Sequence, residues 1–191
     1  MKLVFATHNQ NKLKEVQALL PRNVELLSLN DIGCHEEIHE TGKTLEENAK
    51  IKADFVTKKY GYDCFADDTG LLVDVLNGAP GVHSARYAGE QKNADENMNK
   101  LLSNLNDEKN RSARFETVII LNLNNSQHRF VGMVEGEILN EKLGKRGFGY
   151  DPIFRPQGYD QTFAQLPLAI KNHISHRGKA TQELIKYLKS V

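Results

Sequence analysis

The chain has 191 residues, of which 39% are hydrophobic, and 25 basic residues balance 25 acidic ones. This length predicts one domain with a sizeable core. The balanced charge disfavours a nucleic-acid partner, because proteins that hold the phosphate backbone usually carry a basic surplus. No apolar run approaches the roughly 20 residues that span a bilayer, the apolar start is too short for a signal peptide, and Cys34 and Cys64 form no CxxC pair. We therefore expect a cytoplasmic protein with reduced cysteines and no membrane partner.

The first predicted element is a buried strand at residues 3–6, followed by the polar segment Thr7-His-Asn-Gln-Asn-Lys12 and a helix that Pro21 stops. Backbone N–H groups at a helix start favour phosphate, and a lysine there adds a positive charge. The segment contains no glycine, so it is not a Walker A loop. An ordinary polar turn between a strand and a helix would show the same pattern.

The remaining elements alternate between helices and strands. A second amphipathic helix carries Leu45, Ala49, Ala53 and Val56, with Thr44 placed to cap it and Glu47 three residues on. The elements that follow are strands around 64–66 and 71–73, a helix over 94–105, a hairpin of 115–121 with 129–134, and a closing helix over 180–188. Because the hairpin and the helices interleave, we predict an α/β fold with a mixed central sheet flanked by helices.

Two adjacent carboxylates stand in the segment Asp67-Asp68-Thr69-Gly70, which lies between two apolar runs and hence at the end or bend of a buried strand. Burying acids is costly unless a hard cation such as Mg²⁺ and phosphate oxygens compensate them. A hydrogen-bonded Asx turn is the structural alternative. The DTG triplet also matches aspartic proteases, but that chemistry needs two such aspartates sharing a proton, so a single copy would require a dimer.

A second motif, His35-Glu-Glu-Ile-His39, matches the zinc signature HExxH. A zinc protease needs both histidines on one continuous helix, with a third ligand beyond it. Gly33 precedes the motif and Gly42 follows closely, so we interpret it as a solvated acidic loop.

Two segments near the C-terminus could bind a purine nucleotide. Phe148-Gly-Tyr-Asp151 offers a stacking face, close backbone approach and an acceptor for a base N–H. Lys171 could meet phosphate, and Arg177, in Ser175-His-Arg-Gly178 just before the last helix, could donate to a base carbonyl. A turn into a strand and basic residues around a helix start are the structural alternatives.

Taken together, these segments resemble the inosine triphosphatase-like family of nucleotide pyrophosphatases, which clear non-standard purine triphosphates such as ITP, dITP and XTP. The resemblance covers nearly the whole chain and also includes Glu40-Thr-Gly42 with Glu47-Asn-Ala49, and Gly78-Ala-Pro-Gly81 with Ser84-Ala-Arg-Tyr87. It implies a single domain over 1–191, with two lobes and an active-site cleft between them, and a homodimer.

The resemblance also implies roles for individual residues. Asp68 would be the proton acceptor and a magnesium ligand, with a glutamate in the Glu40 region as the second ligand. The triphosphate contacts would be Thr7, His8, Asn9, Gln10, Asn11, Lys12, Thr69 and Lys171, and the base contacts Phe148, Gly149, Tyr150, Asp151, His176 and Arg177. Two departures are Thr69, where serine is commoner, and Leu166-Pro-Leu-Ala-Ile170, where the family has a more acidic, helix-forming stretch.

These residues lead us to expect magnesium-dependent hydrolysis of a purine triphosphate to its monophosphate and pyrophosphate. Asp68 or its neighbour would accept the proton of the attacking water, while Lys12, Lys52 and Lys171 would offset phosphate charge. Arg177 would favour a 6-oxo purine, because adenine presents a donor to a donor. The competing hypothesis is a non-catalytic purine-nucleotide sensor, although unpaired carboxylates do not help a protein to bind a polyanion.

Overall fold

The computed structural model describes residues 1–191, which form seven strands and five α-helices. In order these are β1 (Lys2–Phe5), α1 (Gln10–Gln17), β2 (Glu25–Ser28), α2 (Leu45–Tyr60), β3 (Cys64–Val73), β4 (Pro80–Gly81), α3 (Ala94–Asn104), β5 (Ser112–Leu123), β6 (Ser126–Ile138), β7 (Phe154–Pro156), α4 (Leu168–Ile174) and α5 (His176–Leu188). No helix is long and apolar enough to cross a membrane.

All seven strands belong to one sheet. Its order is β2-β1-β3-β5-β6-β7, and β4 pairs with β3 off this path. Strand β1 runs parallel to both β2 and β3, whereas β4 is antiparallel to β3 and β7 to β6. The sheet is therefore mixed and accompanied by helices, which confirms the predicted α/β class.

The predicted caps and turns explain where several elements begin and end. The Thr44 hydroxyl accepts a hydrogen bond from the Glu47 N–H at 3.1 Å, which confirms Thr44 as the cap of α2. The hairpin of β5 and β6 turns at Asn124 and Asn125, which both adopt positive φ, at 50° and 61°. Asparagine tolerates this left-handed region, which two-residue hairpin turns require.

The chain divides into two compact units. Unit 1 comprises residues 1–68, 117–132 and 177–191, and unit 2 comprises residues 69–116 and 133–176. Each contains its own hydrophobic cluster. In unit 1 the rings of Phe5 and Phe65 stack with centroids 4.5 Å apart, and in unit 2 Phe115 meets Phe154 edge-on at 4.8 Å. The predicted single domain and the cleft between lobes stay predictions.

Three boundaries differ from the sequence-based expectation. Asp67 and Asp68 do not end a strand, because they lie in the middle of β3, which spans ten residues. A helix that was not predicted, α4, begins after Pro167 and contains Lys171, which still precedes the last helix. Proline is well suited to a helix start because its φ is already fixed. Helix α5 begins at His176, four residues before the apolar positions that predicted it, so His176 and Arg177 form its first turn.

Candidate active site

The predicted phosphate-binding segment is an ordered helix start. Asn9 caps α1, and its Oδ1 accepts hydrogen bonds from the Asn11 N–H at 2.9 Å and the Lys12 N–H at 3.3 Å. The Asn9 N–H in turn donates to the Thr7 hydroxyl at 3.1 Å. His8 and Gln10 are exposed, and the His8 ring lies 3.1 Å from the Glu36 carbonyl oxygen. The backbone of this segment is thus held by its own side chains, while those of His8 and Gln10 remain exposed.

A chain of buried charges runs through unit 1 from Lys12 to Glu15. The Lys12 ammonium contacts Asp67 Oδ1 at 2.8 Å, the Arg177 Nε donates to Asp67 Oδ2 at 3.0 Å, and another Arg177 nitrogen donates to Glu15 Oε2 at 2.6 Å. Only Lys12 keeps appreciable exposure, with 15% of its side chain accessible. Asp67 therefore uses both carboxylate oxygens to hold cations in place.

The positive charges next to Asp67 favour its ionised form. Burial opposes ionisation, but the ammonium of Lys12 and the guanidinium of Arg177 outweigh it and hold the pKa of Asp67 well below its usual range. Burial likewise lowers the pKa of Lys12, and Asp67 offsets part of that effect. Asp67 is consequently ionised and paired with Lys12 and Arg177, while its neighbour Asp68 has different partners.

Asp68 belongs to a second group of unit 1, together with Glu40, Asn48 and Lys52. The Asn48 side-chain amide donates to Asp68 Oδ2 at 3.0 Å, and the Lys52 ammonium lies 4.0 Å from Asp68 Oδ1. The same ammonium is hydrogen-bonded to the Glu40 carboxylate. Two carboxylates thus converge on one buried cation.

The pKa of Asp68 is shifted upward, in the direction opposite to that of Asp67. Burial raises the pKa of its carboxyl, and although the Lys52 ammonium opposes the rise, the charge of Glu40 adds to it. Burial also opposes the ionisation of Glu40, but the charge and hydrogen bond of Lys52 together with the charge of Lys12 outweigh it, so the pKa of Glu40 is lowered. The two carboxylates keep the pKa of Lys52 above its usual value despite burial. Shifted pKa values of this kind are common among the ionisable groups of functional sites.

Unit 2 holds the second set of predicted residues around Asp151 and Lys171. The Lys171 ammonium contacts Asp151 Oδ2 at 2.6 Å and lies 4.9 Å from the Phe148 ring centroid. The Phe148 N–H donates to the same carboxylate at 2.8 Å. Gly147 has φ +73°, and a Cβ there would lie 1.9 Å from Asp151 Oδ2, so only glycine permits this arrangement.

The remaining predicted residues of unit 2 are buried or half-buried, namely Thr69, Gly149, Tyr150 and His176. The His176 ring stacks on Phe115 at 4.5 Å with an interplanar angle of 16°. The Tyr150 hydroxyl donates to the Ser84 carbonyl oxygen at 2.8 Å, which gives this tyrosine a packing role. Gly149 adopts φ +62° beside it, and Thr69 is half-buried in strand β3.

The HExxH match lies outside any helix. Residues 34–44 connect a short 3₁₀ turn to α2 without regular structure, and His35 is exposed. Glu36 contacts Lys59 at 2.6 Å and Tyr60 at 2.9 Å. The interpretation as a loop is confirmed, because a zinc protease needs its two histidines on one helical face.

Glu15 and Asn48 were given no role from the sequence, although Asn48 lies in a segment that carries the resemblance and each residue left a signal. Glu15 follows Lys12 by three residues in a helix and therefore shares its face. Asn48 falls on the apolar side of α2, beside Leu45, Ala49 and Lys52, and is fully buried. A polar residue on a buried helix face indicates a specific hydrogen-bonding partner.

Comparisons with known proteins find matches over nearly the whole chain. A sequence model described as the Ham1 family matches residues 3–187. The dITP/XTP pyrophosphatase of Flavobacterium johnsoniae is 64% identical over 188 residues, covering 98% of each chain. That of Bacillus subtilis is 46% identical over 191 residues, covering 98% of this chain and 96% of the relative.

Solved structures agree with the sequence comparisons. A HAM1 protein from Coxiella burnetii superposes with a TM-score of 0.92 at 41% identity and covers all of both chains. The Staphylococcus aureus Ham1 protein gives 0.90 at 39% identity, covering all of this chain and 99% of the other. With the family model and these relatives spanning almost every residue, the chain is a member of the Ham1 family.

Proposed function

We propose that this protein hydrolyses non-standard purine nucleoside triphosphates, namely dITP, XTP and ITP, to the monophosphate and pyrophosphate. The relatives named dITP/XTP pyrophosphatase share 44% to 64% of its residues over 95% or more of the chain. The observation that carries the proposal is the pairing of Asp68 and Glu40 on Lys52, because it supplies a general base beside concentrated positive charge. We further propose that both units together form one catalytic domain.

Magnesium fits the oxygen donors of this group. Asp68 and Glu40 both face the Lys52 ammonium, Asp68 at 4.0 Å, so the two carboxylates belong to one group of oxygen donors around a single positive charge. Mg²⁺ is usually held by one or two carboxylates, together with water and substrate phosphates, and needs no larger protein cage. Asp68 and Glu40 would hold it, and when bound it supplies charge neutralisation on the phosphate oxygens.

The residues of unit 1 are assigned to the triphosphate and the chemical step. Asp68 accepts a proton from the water that attacks the α-phosphorus. Lys12, fixed by Asp67, and Lys52 offset the charge that develops on the transferring and leaving groups. The helix start that presents Thr7, His8, Asn9, Gln10 and Asn11 completes the assigned phosphate contacts.

We assign the rest of the triphosphate to Thr69 and Lys171, and the purine first of all to residues 148–151. The ring of Phe148 offers a stacking surface, and the Asp151–Lys171 pair beside it provides an acceptor and a donor for polar edges. Lys171 would give up its bond to Asp151 in order to reach phosphate. The other proposed base contacts are Gly149, Tyr150, His176 and Arg177, the last by donating to O6 of a 6-oxo purine.

The test is to incubate the protein with Mg²⁺ and dITP, XTP, ITP, dATP or dGTP and to quantify pyrophosphate. We expect release from the first three at rates well above those for the standard nucleotides. Binding of dITP or XTP without turnover would instead support a nucleotide sensor. We also propose that the protein works in the cytoplasm as a homodimer. Sedimentation at micromolar concentration would check the dimer.

A further inference from the structure

One side-chain amide joins the two segments that carry Asp68 and Glu40. Asn48 lies in helix α2 and is fully buried. Its Nδ2 donates to Asp68 Oδ2 at 3.0 Å, and its Oδ1 accepts from the Gly42 N–H at 2.8 Å. The Gly42 N–H is a donor, so it fixes the amide orientation and leaves the amide nitrogen facing the carboxylate.

The backbone at Gly42 is built for this contact. A Cβ at residue 42 would lie 2.6 Å from Glu47 Cβ and 2.7 Å from Asn48 Oδ1, which is closer than real contacts allow. Only glycine lets the chain come this near to α2. The segment from Glu40 to Gly42 is therefore anchored on the same side chain that holds Asp68.

We propose that Asn48 is a positioning residue, whose amide holds the Asp68 carboxylate in its catalytic orientation relative to the Glu40–Gly42 segment. The inference rests on the proposed function, since it assigns Asn48 a part in that reaction. The amide occupies Oδ2, so the carboxylate cannot rotate freely and Oδ1 stays toward Lys52. Partners that orient a ligating carboxylate typically contribute 10- to 100-fold to activity.

A purely structural role for Asn48 would have a different signature. Such a residue would only anchor residue 42 to the helix, and any acceptor oxygen at its position would serve. Asn48→Asp keeps an acceptor for the Gly42 N–H but puts a second acceptor in place of the donor to Asp68, so it should turn Asp68 Oδ2 away while residue 42 stays anchored. Asn48→Ala removes both bonds and serves as the second variant.

Asn97 provides a matched control in unit 2. It is also buried in a helix, its Oδ1 accepts from the Ala88 N–H at 2.6 Å, and its Nδ2 donates to the Ala85 carbonyl oxygen at 2.9 Å. It has the same bonding pattern as Asn48, but its acceptor is a backbone carbonyl instead of a carboxylate. Asn97→Asp should therefore lower the melting temperature without changing kcat per folded molecule.

The experiment measures kcat and KM for dITP at saturating Mg²⁺, with the folded fraction taken from circular dichroism. For Asn48→Asp and Asn48→Ala we expect kcat per folded molecule to fall about 10- to 100-fold, with KM within about twofold of the wild type, because Asn48 touches no assigned phosphate or base contact. A folded Asn48 variant with near wild-type kcat would overturn the inference while leaving the proposed function intact. A wild-type protein that releases no pyrophosphate would overturn both.

Discussion

Removing the guanidinium of Arg177 is the most informative single perturbation of unit 1. It is 2% exposed and contacts two carboxylates, Asp67 at 3.0 Å and Glu15 at 2.6 Å, which are themselves buried. Removing one partner of a buried ion pair typically costs about 3–5 kcal/mol, because charge stays in a medium that solvates it poorly. We expect Arg177→Ala to lower the free energy of unfolding by about that amount.

Urea unfolding followed by circular dichroism measures this loss, and two variants calibrate it. Glu15→Gln keeps a hydrogen-bonding group near Arg177 and should cost about 1.5–3 kcal/mol, the usual range for a hydrogen bond to a charged group. Arg129 pairs with Glu46 at 2.6 Å, but both side chains are 51% exposed, so Arg129→Ala should cost at most about 1 kcal/mol. A loss for Arg177→Ala no greater than that for Arg129→Ala would refute the reasoning.

The same variant tests the proposed contact of Arg177 with the base. If Arg177 donates to O6, its removal should cost ITP and XTP a few kcal/mol in kcat/KM, the range of a lost charged hydrogen bond. ATP should lose much less, so the preference for ITP over ATP should narrow. An unchanged ratio, with every substrate lowered alike, would remove Arg177 from the base contacts and leave it the role of fixing Asp67.

Three further predictions concern Asp68 and the metal. Asp68→Asn should lower kcat by at least about 100-fold while the fold stays intact; a folded variant with near wild-type turnover would make Asp68 structural. Burial raises the pKa of Asp68 above the usual value of about 3.9, so kcat/KM should fall with acidification at a higher pH than for an ordinary aspartate. More Mg²⁺ should move this fall to lower pH, since a cation favours the ionised form. An acidic limb of the pH profile that Mg²⁺ does not move would argue against Asp68 as its origin. Purified protein should lack stoichiometric zinc, and chelation followed by Mg²⁺ should restore full activity; tightly bound zinc that is lost on changing His35 or His39 would contradict this.

Local signals in the sequence predicted much of the fold. The Thr44 cap, the hairpin of β5 and β6, and the first strand followed by a polar helix start all depend on a few neighbouring residues. Such features are decided by backbone preferences and short-range hydrogen bonds, and these can be inferred residue by residue.

The features that could not be predicted depend on partners far away in the chain. Two adjacent aspartates disfavour a buried strand, yet β3 runs through them because Lys12 and Arg177 neutralise Asp67, and Arg177 lies 110 residues away. Likewise the different environments of Asp67 and Asp68 arise from which cations fold against each one. The sequence shows two equivalent acids, and only tertiary contacts lower the pKa of Asp67 and raise that of Asp68.

The position of attack on the triphosphate is the central claim, and isotope labelling tests it most directly. ITP is hydrolysed with Mg²⁺ in water enriched in ¹⁸O, and the products are analysed by mass spectrometry. Attack at the α-phosphorus predicts IMP carrying one ¹⁸O and unlabelled pyrophosphate. Label in pyrophosphate, or the formation of IDP with labelled orthophosphate, would contradict the account.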